Sequence, residues 1–481
     1  MQYGAVARIL GIFLILHSFG LIPPLLISLD IGDGQYMDFV LPLTITLGSG
    51  SVIWFLFRNA KHELRRREGF LIVAAFWLVL SAFSALPLMI GGHLEFVDAF
   101  FEATSAFTTT GATVMTGLDA TAKSVLFYRS ELQWIGGMGI IVLAVAVLPL
   151  LGVGGMQLFR AETPGPFKDE KLTPRIAHSA QHFWVIYIGL TLACIVGYVL
   201  SGMSLFDAVA HSFSTLSTDG FSTHDASMAY FHSLPVEIVT EVFMFLGALN
   251  FSIHFLVFRR LNLRYYVTNP EVLAFTLIVA GAVLVGAAVL YFEHTYASFL
   301  TALRNSAFTT ISVITSTGYT TQNFAAWPTM LPAFMMFISF IGGCSGSTAG
   351  GMKVIRVMLL FKQGYRELLQ LIHPAMVRPV KIAGRPVPPA ATMGIWGFFA
   401  WYVALFVLAM LLLMAGGMDQ VTAFSAVTTC INNMGPGLGK VAANFQDIDN
   451  YQKIILSMCM LIGRLEIFTL LVLLSPTFWK N

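Results

Sequence analysis

Ten apolar segments follow one another along the chain, and each is close to the length that a helix needs to cross a lipid bilayer, about 20 residues. They lie near residues 5–28, 37–57, 70–91, 125–152, 182–202, 234–258, 271–292, 328–362, 391–416 and 452–476. Only 11% of the residues are charged and 57% are hydrophobic, whereas an average soluble domain has about 25% charged residues. The sequence therefore predicts an all-α polytopic membrane protein with about ten transmembrane helices.

The distribution of Lys and Arg gives the orientation of these segments, because positively charged loops stay on the cytoplasmic side. Every second loop is basic, with Arg58, Lys61, Arg65, Arg66, Arg67, then Arg160, Lys168, Lys171, Arg175, then Arg259, Arg260, Arg264, then Arg366, Arg378, Lys381 and Arg385. This alternation predicts that both termini are cytoplasmic. The first apolar run is longer than the core of a secretory signal, so we expect it to remain as a transmembrane span.

The loops on the opposite, external side share an unusual pattern. Four of them contain a semi-polar stretch that is too apolar for a solvated loop and too short to span, at 96–114, 205–223, 299–321 and 421–439. Each begins like a helix and ends in Ser, Thr or Asn followed by Gly, and we call these ends glycine loops 1 to 4. Their glycines, Gly111, Gly220, Gly318 and Gly435, recur about every 100 residues, which indicates a fourfold internal repeat.

The repeat divides the chain into five parts. Residues 1–68 form two extra N-terminal spans, and repeats 1 to 4 cover 69–176, 177–264, 265–390 and 391–481. Each repeat is a span, a half-helix with its glycine loop, and a second span.

Half-helices that enter from outside and stop within the membrane point their C-terminal, negative dipole ends at a common axis. Their last carbonyl groups have no partner within the helix, and rings of carbonyl oxygens can replace the hydration shell of a monovalent cation. A single Ser/Thr–Gly sequence after a short helix is usually an ordinary turn, but four at one period predict a cation pathway.

This plan resembles the Trk/Ktr/HKT superfamily of K+ transporters. The resemblance rests on Thr110-Gly111, Asp219-Gly220-Phe221-Ser222-Thr223, Thr317-Gly318-Tyr319 and Met434-Gly435-Pro436. The two extra N-terminal spans and the stretch 220–225 are similar to the bacterial TrkH-type subunit. The resemblance implies uptake of K+, with Rb+ as a congener, across the bacterial inner membrane. It also implies that a selectivity filter binds K+ at Thr110, Gly111, Asp219, Gly220, Thr317, Gly318, Met434 and Gly435.

Asp219 is the one acidic residue in the four loop ends, and two interpretations remain open for it. Its carboxylate could ligate the cation, or its backbone carbonyl could do so while the side chain forms the turn. The second interpretation is favoured because one carboxylate would break the near-fourfold symmetry.

The eighth apolar segment is interrupted by a small-residue stretch, which we call the broken segment (residues 342–351). Five of its ten residues are glycine, and each glycine costs a helix interior about 1 kcal/mol relative to Ala. The stretch should therefore not be regular helix, although small residues can also serve close helix packing. TrkH-type proteins carry an intramembrane gating loop here, which implies a gate formed by Gly342, Gly343, Ser345, Gly346, Ser347, Thr348, Gly350 and Gly351.

Arg464 lies in the middle of the tenth apolar segment, where a charged side chain needs a partner or water. It could pair with a carboxylate on another span, such as Glu131 or Glu241, or point into the pathway as a barrier to cations, the role that the resemblance implies. Lys353 follows the broken segment and could act similarly or neutralise carbonyl groups at helix ends.

Other function classes fit the residues less well. A carrier for a small solute coupled to Na+ or H+ is the alternative, but such carriers are typically built from inverted repeats, whereas all four half-helices here enter from outside. An enzyme is not expected, because Asp219 has no second aspartate beside it, Ser345 has no nearby His, and there is no P-loop. The net charge of +2 does not indicate a nucleic-acid partner.

The four cysteines are scattered singly in apolar stretches, which predicts neither disulfides nor a metal site. No covalent cofactor is expected, and K+ enters as the transported ion. The resemblance further implies a homodimer surrounded by membrane lipid and a soluble cytosolic TrkA-type ring that binds NAD(H) or ATP. The basic 363–389 loop is explained by orientation alone, and it could also dock such a partner.

Overall fold

The structure is a computed structural model, and it describes residues 2–60, 66–146 and 176–480. Within these ranges the chain is helical apart from one short hairpin, in which strand Lys381–Ile382 pairs antiparallel with strand Arg385–Pro386. This confirms the predicted all-α polytopic class. The end of the predicted span 125–152 and six of the basic loop residues lie outside the described residues; these are Lys61, Arg65, Arg160, Lys168, Lys171 and Arg175.

Six helical stretches in the described ranges are long and apolar enough to cross a membrane. They are Tyr3–Ile31, Met37–Phe57, Arg67–Ile90, Gln181–Leu200, Pro270–Phe292 and Pro389–Ala415. The first of these is two helices, Tyr3–Phe19 and Ile22–Ile31, and two of the others are parts of the longer helices Arg66–Ile90 and Ile176–Leu200.

Two further spans are sharply bent. Leu234–Gly247 and Phe251–Arg260 meet at 100°, and Asn450–Arg464 and Phe468–Leu474 meet at 114°. Counting each bent pair as one span gives eight, against the ten that the apolar segments predict. The other two predicted spans begin as Lys123–Ala146, which carries three charged residues among its 24, and as Leu331–Ser339, which has only nine residues.

Four half-helices stand between these spans, one in each sequence repeat, as Phe96–Phe107, Leu205–Ser217, Phe299–Ile314 and Gln420–Ile431. Three of them begin at a side-chain cap, in which an oxygen of Ser204, Ser298 or Asp419 accepts a hydrogen bond from a backbone N–H of the first turn. After each glycine loop the chain forms a short 3-10 turn before the next span, at Leu118–Ala120, Ser227–Phe231, Phe324–Ala326 and Gly439–Val441.

The remaining helices connect or end these units. They are Arg264–Thr268, Val354–Ile372 and Pro476–Trp479. Two spans begin at strong caps, because Asn269 Oδ1 accepts from the N–H groups of Glu271 and Val272, and Asp449 forms a capping box with Gln452.

Polar and apolar residues are distributed in the reverse of the usual globular order. Thr104, Thr215, Thr310 and Thr429, on the four half-helices, are fully buried at the centre. Leu200, Leu277 and Leu300 are more than 60% exposed on the outside. An apolar exterior of this extent matches a lipid environment rather than water, and it leaves the half-helices as the polar centre of the molecule.

Candidate functional site

The four half-helices end in the same backbone turn. In each, the N–H group of the residue immediately before the glycine donates to the carbonyl five residues earlier, at 2.8 to 3.0 Å. The four bonds run from Thr110 to Ser105, Asp219 to Ser214, Thr317 to Ser312 and Met434 to Thr429. The predicted filter residues Thr110, Asp219, Thr317 and Met434 thus occupy equivalent positions.

The residue just before each of these positions has a left-handed backbone conformation. The φ angles are 50° at Thr109, 53° at Thr218, 57° at Ser316 and 52° at Asn433. This conformation is strained for residues with a Cβ atom, and such strain persists only where the surrounding structure enforces it. The repeated strained turn reverses the chain at the same depth in all four repeats.

The four glycine loops contact one another in a closed ring. A Cβ atom added to Gly111 would lie 2.8 Å from the nitrogen of Gly220, and one on Gly220 would lie 2.4 Å from the carbonyl oxygen of Thr317. One on Gly318 would lie 2.1 Å from the oxygen of Met434, and one on Gly435 would lie 2.9 Å from the carbonyl of Gly111. Each loop therefore touches the next in chain order, and loop 4 returns to loop 1.

The glycines are needed mainly for this close approach. Gly111, Gly318 and Gly435 also have φ angles of 79°, 82° and 92°, which favour glycine. Gly220 does not have a positive φ, so only the crowding at Thr317 explains the absence of a side chain there. Four loop backbones in mutual contact around one axis can present carbonyl oxygens to a single ion.

Hydroxyl groups hold loops 1 and 3 in matching ways. The hydroxyl groups of Thr108 and Thr110 lie 2.8 Å apart, as do those of Thr315 and Thr317. The side-chain amide of Asn433 donates to Thr110 Oγ1 at 2.9 Å, which links loop 4 to loop 1.

The carboxylate of Asp219 folds back onto its own loop. Its Oδ1 accepts a hydrogen bond from the N–H of Gly220 at 2.6 Å, and the residue is fully buried. Its Oδ2 has no hydrogen-bond partner among the described residues. The Oδ1 contact is that of a turn-forming aspartate.

The broken segment lies directly against the deep side of this ring. The helix Leu331–Ser339 ends before it and Val354–Ile372 begins after it, so the stretch is not regular helix, as predicted. The N–H of Gly350 donates to Ser316 Oγ at 2.6 Å, and that of Gly351 donates to the carbonyl of Asn432 at 3.1 Å. The segment is therefore tied to the half-helix ends of repeats 3 and 4.

The bent span of repeat 2 forms a wall behind the broken segment. The N–H groups of Cys344 and Thr348 donate to the carbonyls of Ala248 and Gly247 at 2.9 and 3.3 Å. The Thr348 hydroxyl also donates to the carbonyl of Leu216 at 3.0 Å. The 100° bend after Gly247 exposes these carbonyls, so they are available to a loop rather than to their own helix.

Arg464 reaches the same segment from the opposite side. It is only 7% exposed, and its Nη1 donates to the carbonyl of Thr348 at 2.9 Å. Its Nε and Nη2 have no hydrogen-bond partner in the described part of the chain, and its guanidinium lies 6.0 Å from the centre of the Trp77 ring. Within the same ranges no carboxylate forms an ion pair with it, including Glu131 and Glu241.

The nearby charges are engaged elsewhere. Glu466, two residues after Arg464, accepts from Arg356 Nη2 at 2.6 Å. Lys353 has a φ angle of 74°, and its Nζ donates to the carbonyl of Ala349 within the broken segment. Lys353 therefore bonds to the segment itself.

One pair of charged residues behind the ring was not identified from the sequence. Glu102 lies on half-helix 1 and Arg129 on the following span, and both are almost fully buried. The only signal in the sequence was that each interrupts an otherwise apolar stretch. Twenty-seven residues separate them, and no periodicity indicates that they meet.

A separate contact between repeats 1 and 2 joins His224 to Asp119 beyond the glycine loops. His224 Nδ1 lies 2.5 Å from Asp119 Oδ1, and the His224 ring stacks on Tyr230 with 3.4 Å between centroids. The hydrogen bond with His224 lowers the pKa of the Asp119 carboxyl.

Known proteins with similar sequences and folds extend over the whole chain. The family of TrkH cation transport proteins matches residues 35–480. The Trk system potassium uptake protein TrkH of Vibrio parahaemolyticus is 50% identical over 485 residues, covering 100% of both chains. The protein of the same name from Escherichia coli K12 is 46% identical over 483 residues, again covering 100% of both. The crystal structure of the potassium transporter TrkH from Vibrio parahaemolyticus matches with a TM-score of 0.93, 48% identity and 100% coverage of each chain.

Proposed function

The chain belongs to the TrkH family of cation transport proteins, and from this membership we propose that it takes up K+, with Rb+ as a congener, through its ring of glycine loops. The main support for this proposal is the ring in which each glycine loop contacts the next, because it brings four backbones around one axis. The similar proteins are potassium uptake proteins, so the chain is a transporter rather than an enzyme. The solute-carrier alternative is not favoured.

The proposed K+ ligands are backbone carbonyls at Thr110, Gly111, Asp219, Gly220, Thr317, Gly318, Met434 and Gly435. The equivalent turns at the four positions support this assignment. For Asp219 we favour the carbonyl over the carboxylate, because its Oδ1 is engaged with Gly220. Discrimination between K+ and Na+ then depends on how many carbonyls face the ion and how closely they are held.

We propose that the broken segment (residues 342–351) gates this pathway. Its bonds to Ser316 and Asn432 support a position across the deep side of the ring. Arg464, whose Nε and Nη2 have no hydrogen-bond partner among the described residues, lies beside Thr348 and acts as an electrostatic barrier to cations. Lys353 holds the end of the segment through Ala349.

The wider setting follows from the family. The names of the relatives refer to a Trk system, and we infer that this chain works with other subunits. We propose a homodimer in the bacterial inner membrane, with cytoplasmic termini and a cytosolic TrkA-type ring that binds NAD(H) or ATP. The five-part division into 1–68, 69–176, 177–264, 265–390 and 391–481 is part of the same proposal.

The direct test is uptake of 86Rb+ into proteoliposomes that hold an outward K+ gradient, with Na+ as the competitor. We expect uptake that excess K+ blocks and Na+ blocks poorly. If the gate stays closed without a partner protein, the wild type will take up no 86Rb+. A variant that lacks residues 345–349 distinguishes this case from a wrong substrate, because it should take up 86Rb+ only if the gate was closed. Continued silence of a folded deletion variant would contradict cation conduction.

A further inference from the structure

A buried ion pair joins the first two glycine loops from behind. Glu102 and Arg129 have side chains that are 0% and 1% exposed. Both Nε and Nη2 of Arg129 donate to Glu102 Oε1, at 2.9 and 2.7 Å. Charges this deeply buried are stable only when their remaining hydrogen-bonding groups are also satisfied.

The other oxygen of Glu102 holds loop 1. Its Oε2 accepts from the N–H of Val114 at 2.8 Å. The hydroxyl of Thr113 donates to the same carboxylate, 2.9 Å from Oε1 and 3.1 Å from Oε2. Arg129 Nη2 donates to the same hydroxyl at 3.1 Å. The segment of loop 1 that follows Gly111 is therefore held in place at Thr113 and Val114.

Arg129 also reaches loop 2. Its guanidinium lies 4.2 Å from the centre of the Phe221 ring, and Nη1 lies 3.5 Å from the carbonyl oxygen of Ser222. Phe221 and Ser222 directly follow Gly220. One guanidinium thus contacts the exits of two neighbouring loops, whose glycines are themselves in contact.

Two other junctions in the described ranges are bridged by backbone hydrogen bonds. Loop 3 is met by a bond from Ala229 N to the carbonyl of Thr320 at 3.2 Å, and loop 1 receives one from Phe445 N to the carbonyl of Thr113 at 2.8 Å. Charged side chains also meet elsewhere, since Lys453 pairs with Asp98, but that carboxylate is 23% exposed. Behind loops 1 and 2 both side chains of the ion pair are almost fully buried.

We propose that Glu102 and Arg129 are positioning residues that set the spacing of glycine loops 1 and 2, and through it the preference for K+ over Na+. The inference rests on the proposed filter and adds to it two residues that do not touch the ion. Selectivity among ions of equal charge depends on small differences in carbonyl placement, so a brace that fixes two of the four loops controls it.

The test compares Arg129→Lys with Arg304→Lys. Lysine keeps the positive charge but lacks the planar fork, so it cannot bond Glu102 and Thr113 while covering Phe221. The control pair, Arg304 and Glu237, is also doubly hydrogen-bonded, at 2.7 Å for both bonds, but its arginine is 43% exposed and contacts no glycine loop. The measured quantity is the ratio of 86Rb+ uptake with K+ and with Na+ as competitor, because this ratio is independent of the amount of active protein.

We expect Arg129→Lys to lower the K+ over Na+ preference about tenfold, which corresponds to about 1.4 kcal/mol, while Arg304→Lys keeps the wild-type ratio. Thr113→Val provides a second, nearly isosteric variant that leaves the ion pair in place. We expect it to lower the ratio about threefold, less than Arg129→Lys does, because the bond from Val114 N–H to Glu102 and the contacts of Arg129 with loop 2 remain.

The outcomes separate the brace from ordinary stability. Lower uptake with an unchanged ratio in Arg129→Lys and Thr113→Val would overturn the proposal, because the pair would then serve folding alone. If Arg129→Lys cannot be purified as folded protein, the Thr113→Val ratio decides the question by itself. A wild type that takes up no Rb+, even with residues 345–349 deleted, contradicts the proposed function, whereas a selective wild type with unaffected variants contradicts only this inference.

Discussion

The ring of glycine loops and the broken segment beneath it are built on opposite principles. The ring uses one turn four times. In every repeat the turn has the same backbone hydrogen bond and a residue with a left-handed backbone conformation at the same position. The broken segment lies in repeat 3 and is held by bonds to unlike partners, which include Ser316, Asn432, Gly247, Ala248 and Arg464. Both regions are crowded, since a Cβ atom added to Gly350 would lie 2.0 Å from the carbonyl oxygen of Asn432, but the ring repeats one contact around an axis, whereas the segment makes a different contact with each neighbour.

This difference separates two properties that a conducting protein must control. A site repeated around an axis is stiff, because moving one loop moves its neighbours. A segment that its neighbours hold by different bonds can exchange those bonds one at a time, without separating the glycine loops from one another. We therefore expect substitutions in the ring to alter the selectivity between K+ and Na+, and changes in the broken segment to alter the rate of ion uptake.

Removing residues 345–349 should have the largest effect. The deletion removes Thr348, whose hydroxyl and carbonyl bond to Leu216 and Arg464. We expect the initial rate of 86Rb+ uptake to rise at least tenfold, about 1.4 kcal/mol in terms of equilibrium opening, with an unchanged ratio of K+ to Na+ competition. An unchanged rate in folded protein would contradict the gating role.

Changing Gly318 to Ser should act on selectivity instead. An added Cβ atom would lie 2.1 Å from the carbonyl oxygen of Met434, at a φ of 82°, so loops 3 and 4 must separate. We expect the K+ over Na+ preference to fall about tenfold, measured by competition in the same vesicles. Gly281→Ala is the matched control, because nothing lies within 4 Å of a Cβ atom at Gly281. Equal ratios in the two variants would contradict the assignment of selectivity to the ring.

Substitutions at Arg464 distinguish its positive charge, which would repel cations, from its hydrogen bond to Thr348, which would hold the broken segment. Arg464→Met removes the charge at nearly constant volume, and Arg464→Lys keeps it. If the charge limits cation entry, uptake should rise about fivefold in the Met variant, roughly 1 kcal/mol, and stay low in the Lys variant. A similar rise in both would mean that only the bond to Thr348 matters, and a loss of uptake in folded protein would argue for a purely structural role.

Ser316→Ala should have the smallest effect. It removes the acceptor for the N–H of Gly350, and one such bond contributes about 0.5–1.5 kcal/mol. We expect uptake to rise two- to threefold without a change in ion preference. Ser306→Ala is the control, because Ser306 lies on the same half-helix but donates to the carbonyl of Val283, away from the segment. A change in selectivity would show that the segment and the ring are not separable.

The sequence predicts both the ring and the broken segment. Repetition made the four glycine positions visible, because the glycines recur about every 100 residues. In repeats 1, 2 and 4 a similar residue pair, Asp98-Ala99, Asp207-Ala208 or Thr422-Ala423, also begins thirteen residues before the glycine. The glycine content of 342–351 likewise predicted a break in the helix. In both cases the property was local along the chain.

The features that sequence analysis missed depend on contacts between distant residues. The bend after Arg464 involves Glu466 and Ile467, with φ angles of 55° and 57°, and neither residue type favours such angles. No pattern of apolar residues indicates that Arg129 meets Glu102, since a charge in an apolar stretch has many available partners. Hydropathy predicted the spans that contain Arg464 and Arg129. It could not indicate the bend in the first span or the contact between the second span and Glu102.

The return of loop 4 to loop 1 has a consequence for how the protein is made. Gly435 closes against Gly111, Asn433 bonds to Thr110, and Phe445 bonds to Thr113. More than 300 residues separate the Asn433–Thr110 pair, so the first three repeats are synthesised before the last quarter of the ring exists. A nascent or prematurely terminated chain therefore lacks one side of the ring, and the full set of four loops can form only after the fourth repeat has been made.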